Sequence, residues 1–242
     1  GVPFEGAWMK RIQAANPDMP ILDLRDGLPL REQEAHDHDA EHAHDHEHDR
    51  DAEAMDPHLW TSPLLVRQMA IAIRDALSAL DPEGAATYAR NQERFDTKLM
   101  GLHQRLKRNL AGLEHRSFMV YHPAWGYFAD TYELEQIPIE RAGKEPGPRR
   151  LSALIEQAKA TGTHSIIVQP EFDQRTAQQL ARMINGRVEP ATPLAADYAD
   201  NLERFARILV DADDDARSGG ARQAAPAGSA PAPRSTESID KR

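Results

Sequence analysis

Apolar residues recur along this chain with two periods, and the change between them divides it. Phe4, Trp8 and Ile12 lie at helical spacing, so residues 3–15 are predicted to form an amphipathic helix. Residues 19–24 (MPILDL) read as a short strand closed by the turn signal Asp26-Gly27. After a long polar interruption, Thr61-Ser62-Pro63 puts a capping hydroxyl before a proline suited to the first helical position. Val66, Met69, Ile73, Ala76 and Leu80 then give one apolar face. Asp81-Pro82-Glu83 restarts a longer helix to about Leu113. Its stripe is Tyr88, Phe95, Leu99, Leu102, Leu106, Leu110 and Leu113. At 1.5 Å per residue that helix is roughly 45 Å long, enough for a spine between two lobes.

From Ser117 the pattern alternates. FMVY, QIPIE, SIIVQ and Arg187-Val188-Glu189 read as strands, followed by helical patterns over 123–132, 149–160, 173–184 and 197–209. Four strand–helix repeats predict an α/β fold with a parallel sheet covered by helices and right-handed crossovers. Beyond Asp211 the composition collapses to Ala, Pro, Gly, Ser and charge, so 213–242 is expected to be a disordered tail.

The polar interruption carries candidate chemistry. Residues 34–60 run EAHDHDAEHAHDHEHDRDAEAMDPHLW, with His36, His38, His42, His44, His46 and His48 set among acids and alanines. This segment has no apolar period and cannot build a core. Neutral imidazoles beside carboxylates suit divalent cations, and the segment is expected to collect them. The plainer alternative is a solvated acidic loop. An affinity tag fits poorly, because the run is internal and interrupted by acids.

Composition narrows the function further. The 242 residues carry a formal charge of −10, which argues against a nucleic-acid partner and suits a cation. No apolar run approaches the ~18 residues needed to span a bilayer. There is no cysteine, so disulfides, thiolate zinc sites and thiol catalysis are excluded. The chain does not begin with Met and opens inside its first helical pattern, so its N-terminus is expected to be incomplete.

Two ordered motifs offer ligands. In Asp56-Pro57-His58-Leu59-Trp60, Pro57 restricts the backbone, so His58 is presented from a fixed position; packing of His58 on Trp60 is the structural alternative. His122 follows the first strand of the predicted parallel sheet, at the carboxyl edge where open α/β folds bind ligands; a buried histidine bonded to backbone is the alternative there. Gln169 or Glu171 could present oxygen at the same edge, and Glu171 equally suits the following helix N-terminus. His103 and His115 are expected to be structural or solvated, and His164, which precedes a strand, is assigned no role. Gly143 to Pro148 lacks phosphate-loop spacing.

DPHLWTSP, YHPAWGYFADTYEL, QIPIERAGKEP, IIVQPEF and PLAADYADNLERFA, in this order, resemble the metal-binding solute-binding proteins of bacterial ABC uptake systems, the cluster A-I family. The acidic, His-rich loop before DPHLW resembles the zinc-specific branch. The likeness covers about 2–210. It implies two (β/α)-type lobes joined by a long spine helix, with one metal ion between them. It also implies that His58 and His122 match the family's second and third histidine ligands. The first ligand lies upstream in the first lobe, and GVPFEGAW resembles a segment past that point. The resemblance therefore implies a fragment with the first lobe incomplete. Where members often carry a carboxylate after the third strand or an Asp before Pro-Leu, this chain has Gln169 and Thr192. The fourth ligand is left open among Gln169, Glu171, Thr192 and water.

The expected organisation is a first-lobe remnant (1–30), a flexible His/Asp-rich loop (31–57), a helical region with the linking helix (58–116), a C-terminal α/β lobe (117–212) and the tail. The expected function is capture of Zn²⁺ as a monomer in the periplasm and delivery to an inner-membrane ABC permease, without catalysis. Two imidazoles favour zinc over manganese, which prefers more carboxylate. A periplasmic zinc buffer that uses only the loop is the alternative. A zinc hydrolase would need an open metal position and a general base, and neither H-E-x-x-H nor G-x-S-x-G occurs.

Overall fold

The computed structural model describes residues 3–33, 55–141, 143–171 and 174–218. Helix α1 spans Pro3–Ala15. Helix α2, Pro63–Leu80, starts as its sequence predicts: the Ser62 hydroxyl accepts from the Leu65 N–H and Pro63 sits in the first turn. A 3₁₀ turn, Pro82–Gly84, leads into α3, Ala85–Leu110. Strands β1 (Ser117–Val120), β2 (Glu135–Pro138), β3 (Ser165–Val168) and β4 (Arg187–Pro190) alternate with α4 (Gly126–Thr131), α5 (Pro148–Thr161), α6 (Arg175–Met183) and α7 (Tyr198–Arg217).

All strand pairs are parallel, in the order β2-β1-β3-β4. The chain steps one way from β1 to β2 and the other way to β3 and β4. The carboxyl ends of β1 and β3 therefore flank the point where winding reverses, the usual place for a ligand in such sheets. Alternate residues of β1 serve opposite faces. Phe118 and Val120 join the cluster with Leu102, Leu106 and Leu110 of α3 and Phe205 of α7. Met119 joins Ile137, Leu154, Ile166 and Leu180 on the other face. Trp125 stacks on Phe205 with ring centroids 3.7 Å apart and planes at 4°.

Three sequence expectations change. Residues 19–23 form no strand, and Ile21 and Leu22 are exposed. Without a neighbouring strand among the described residues, their backbone gains no ladder. The α3 stripe is buried only in its C-terminal half, from Leu99 to Leu110, and Leu102, Leu106 and Leu110 pack with α7 and one face of the sheet; Phe95 is exposed, as are Ile73 and Leu80 of α2. The tail expected from 213 starts too early: α7 continues to Arg217, and Asp213 is buried. That carboxylate accepts the backbone N–H groups of Glu114 and His115, which fixes the last turns of α7 against the start of β1. No helix of the described residues is long and apolar enough to cross a membrane.

Candidate metal centre

His58 is set by the residue two places before it. The Asp56 carboxylate accepts the His58 backbone N–H at 2.9 Å and the His58 ring Nδ1–H at 2.7 Å, both through Oδ1. Aspartate commonly bonds the backbone two residues on, and Pro57 holds the intervening bend. The short turn Leu59–Thr61 follows, with the Thr61 hydroxyl donating to the His58 carbonyl at 2.9 Å. Trp60 lies beside the imidazole, ring centroids 5.3 Å apart. Its indole N–H donates to the Pro193 carbonyl at 2.9 Å, which ties this segment to the α/β unit. The packing of His58 on Trp60 is thus real, and it accompanies the ligand-like geometry rather than replacing it.

His122 emerges two residues past β1. Its carboxylate partner comes from the sheet register. β1 pairs with β2 at an offset of 18, Val120 opposite Pro138, and the Glu140 N–H continues the ladder to the Tyr121 carbonyl. The same offset puts Glu140 opposite His122, and the Glu140 carboxylate accepts from His122 Nδ1. Glu140 and Asp56 are both buried.

The two imidazoles meet. Their ring centroids are 5.5 Å apart and their planes cross at 76°. An ionised carboxylate only accepts, so in each neutral ring Nδ1 carries the hydrogen and Nε2 keeps its lone pair. A carboxylate on the far nitrogen fixes ring orientation and raises the basicity of the other nitrogen, as in many metal-bound histidines. Two such rings, backed by two buried carboxylates, form an arrangement suited to a cation. Among the described residues no group of three or more His, Cys, Asp or Glu side chains is arranged to hold an ion.

The other sequence candidates fall differently. Gln169 is buried at the end of β3, Glu171 is exposed, and the Thr192 hydroxyl accepts the Leu194 N–H at 3.2 Å. The loop histidines His36, His38, His42, His44, His46 and His48 lie outside the described residues. His103 stacks on Tyr132, and burial, Lys107 and Arg67 lower its pKa. His115 pairs with Asp213, and His164 Nδ1 lies 3.2 Å from the Ile184 carbonyl. Asp56 and Glu140 were the residues that motif reading passed over. The Asp-x-His spacing signals the first. The second needs the strand register, which no local pattern encodes.

A family model described as "Zinc-uptake complex component A periplasmic" matches residues 1–212. A Bacillus subtilis (strain 168) protein named "High-affinity zinc uptake system protein ZnuA" is 31% identical over 140 residues, 57% of this chain and 44% of that protein. A Streptococcus pneumoniae serotype 4 protein named "Zinc-binding lipoprotein AdcA" is 31% identical over 141 residues, 57% of this chain and 28% of that one. The chain thus spans less than half the length of these curated relatives. A solved structure described as "Crystal structure of ZnuA" superposes with a TM-score of 0.76 at 36% identity, covering 88% of this chain and 78% of that one. A ZnuA deletion mutant with zinc bound gives the same TM-score of 0.76 at 34% identity, covering 88% and 76%.

Proposed function

The chain belongs to the family of periplasmic zinc-uptake complex component A, and from that membership we propose that it captures Zn²⁺ in the periplasm and passes it to an ABC permease of the inner membrane. One observation carries the assignment of the site. His58 and His122 stand 5.5 Å apart, each with Nδ1 held by a buried carboxylate. Their Nε2 atoms are the proposed zinc donors. Nitrogen donors favour zinc over manganese, and a further protein donor or water completes the usual four positions. Gln169 is the buried oxygen candidate at the same sheet edge. Asp56 and Glu140 orient the rings and offset the cation's charge. The role needs binding and release only, so no group is assigned to attack on a substrate. The six loop histidines are proposed to gather Zn²⁺ weakly and raise its concentration near the site.

Titrating the full chain with Zn²⁺ against a competing chelator tests the reading. His58→Ala and His122→Ala should each weaken the tightest site by roughly 100-fold, about a ligand's share of zinc binding energy. Unchanged tight binding in either variant would remove that histidine from the site.

A further inference from the structure

Arg31 lies 27 residues before His58 in the sequence, yet it sits beside the carboxylate that holds the His58 ring. Its Nη1 is 3.7 Å from Asp56 Oδ2, and its Nε is 3.4 Å from Asp130 Oδ2. The backbone at both ends is bonded into the same place. Asp56 N–H donates to the Arg31 carbonyl at 2.9 Å, and Glu32 and Met55 form an antiparallel bridge. Tyr127 closes the ring of contacts. Its hydroxyl donates to the Asp56 carbonyl at 2.9 Å and accepts the Arg31 N–H at 3.1 Å. The guanidinium also fits a space kept by a missing side chain. A Cβ on Gly126 would collide with it and lie 2.9 Å from Asp56 Oδ2.

We propose that Arg31 is a positioning residue for the zinc site: through Asp56 it fixes the rotamer of the carboxylate that orients His58. This rests on the reading that His58 binds zinc. Asp56 has two oxygens with separate tasks. Oδ1 holds the His58 ring and backbone N–H, and Oδ2 faces the guanidinium. Asp56 is 4% exposed, so water has little access to replace a lost partner. At 3.7 Å the guanidinium is an ion-pair partner of Oδ2 rather than a hydrogen-bond donor, and without that facing charge the buried carboxylate is free to turn, which takes Oδ1 away from the ring. The segment from Arg31 to Asp56 therefore contains two functions. Its interior can vary, while its two ends belong to the support of the proposed zinc site.

The test is Zn²⁺ affinity of the full chain by chelator competition, with thermal unfolding of each metal-free variant. Arg31→Ala should weaken the tight site about tenfold, in the range of mutations behind a metal ligand. Arg31→Lys should recover part of that loss. Gly126→Ala, which keeps the arginine but evicts its guanidinium, should match Arg31→Ala. In an Asp56→Asn background neither change should weaken binding further, because the group they act through is already altered. Unchanged affinity in Arg31→Ala, or a full additional loss on top of Asp56→Asn, would overturn the proposal. His58→Ala separates the two claims. If it leaves tight binding intact, the site assignment itself fails; if it weakens binding and Arg31→Ala does not, only the positioning role fails.

Discussion

Asp213 shows what a single buried carboxylate contributes to this fold. Burial by itself would raise its pKa, but the backbone N–H of His115, the His115 ring and the N–H of Glu114 outweigh that and hold it below the ordinary 3.8. A folded pKa below the unfolded one stabilises the fold above the unfolded value. That contribution is lost as pH falls through the lower, folded value. Asp213→Ala should therefore cost about 1–3 kcal/mol at neutral pH, the penalty for leaving three part-buried donors without their acceptor. The deficit relative to the unmodified chain should shrink below about pH 4. Denaturant unfolding of both proteins from pH 7 to pH 3 measures it, and a deficit that stayed constant over that range would exclude the linkage.

At the scale of elements, the caps were the features sequence read best. Ser62 and Pro63 begin α2 as their chemistry requires. Ser62→Ala should cost about 0.5–2 kcal/mol, read by chemical denaturation, since the Ser62 hydroxyl also bonds the Thr131 hydroxyl at 2.7 Å. The four strand–helix repeats were legible for the same reason: their apolar runs are short, dense and separated by turn residues. Residues 19–24 carried a strand-like pattern too, yet form none. A strand is a statement about a neighbour, and MPILDL encodes only its own half. The site divides likewise. His58 and His122 stood out because each sits beside a local signal, a proline or a strand end. Arg31 and Glu140 are joined to them only by tertiary pairing. The end of α7 was missed because Asp211, Asp213, Asp214 and Asp215 resemble a solvated run, whereas Asp213 is buried against Glu114 and His115, just before β1.

For the whole molecule, the proposed division is between a collecting loop and a fixed pair of rings. Both are proposed to bind zinc through neutral imidazole, so protons compete with zinc as pH falls from about 7.5 to about 5.5, through the reference histidine value of about 6.5. The six loop histidines lie in a sequence with no apolar period to pack them, whereas Asp56 and Glu140 already hold the paired rings. Loop-bound zinc should leave first. Deleting residues 35–54 should lower the number of Zn²⁺ bound, preserve the tight site and remove the earlier pH transition. Titrations at several pH values on both proteins would show it. Loss of the tight site along with the loop would contradict the division.

The offset of 18 between β1 and β2 has a consequence for how such a chain can drift in evolution. His122 meets Glu140 because two strands are hydrogen-bonded in one register, not because a connection has a given length. Insertions or deletions in the turn around Glu133 leave ring and carboxylate opposite each other while β2 keeps its pairing. A one-residue slip within β2 instead brings Ile139 or Arg141 to the imidazole and reverses which side chains enter the core. Length variation in this family should therefore collect in the turns and be purged from four-residue strands, although neither strand contains a metal ligand.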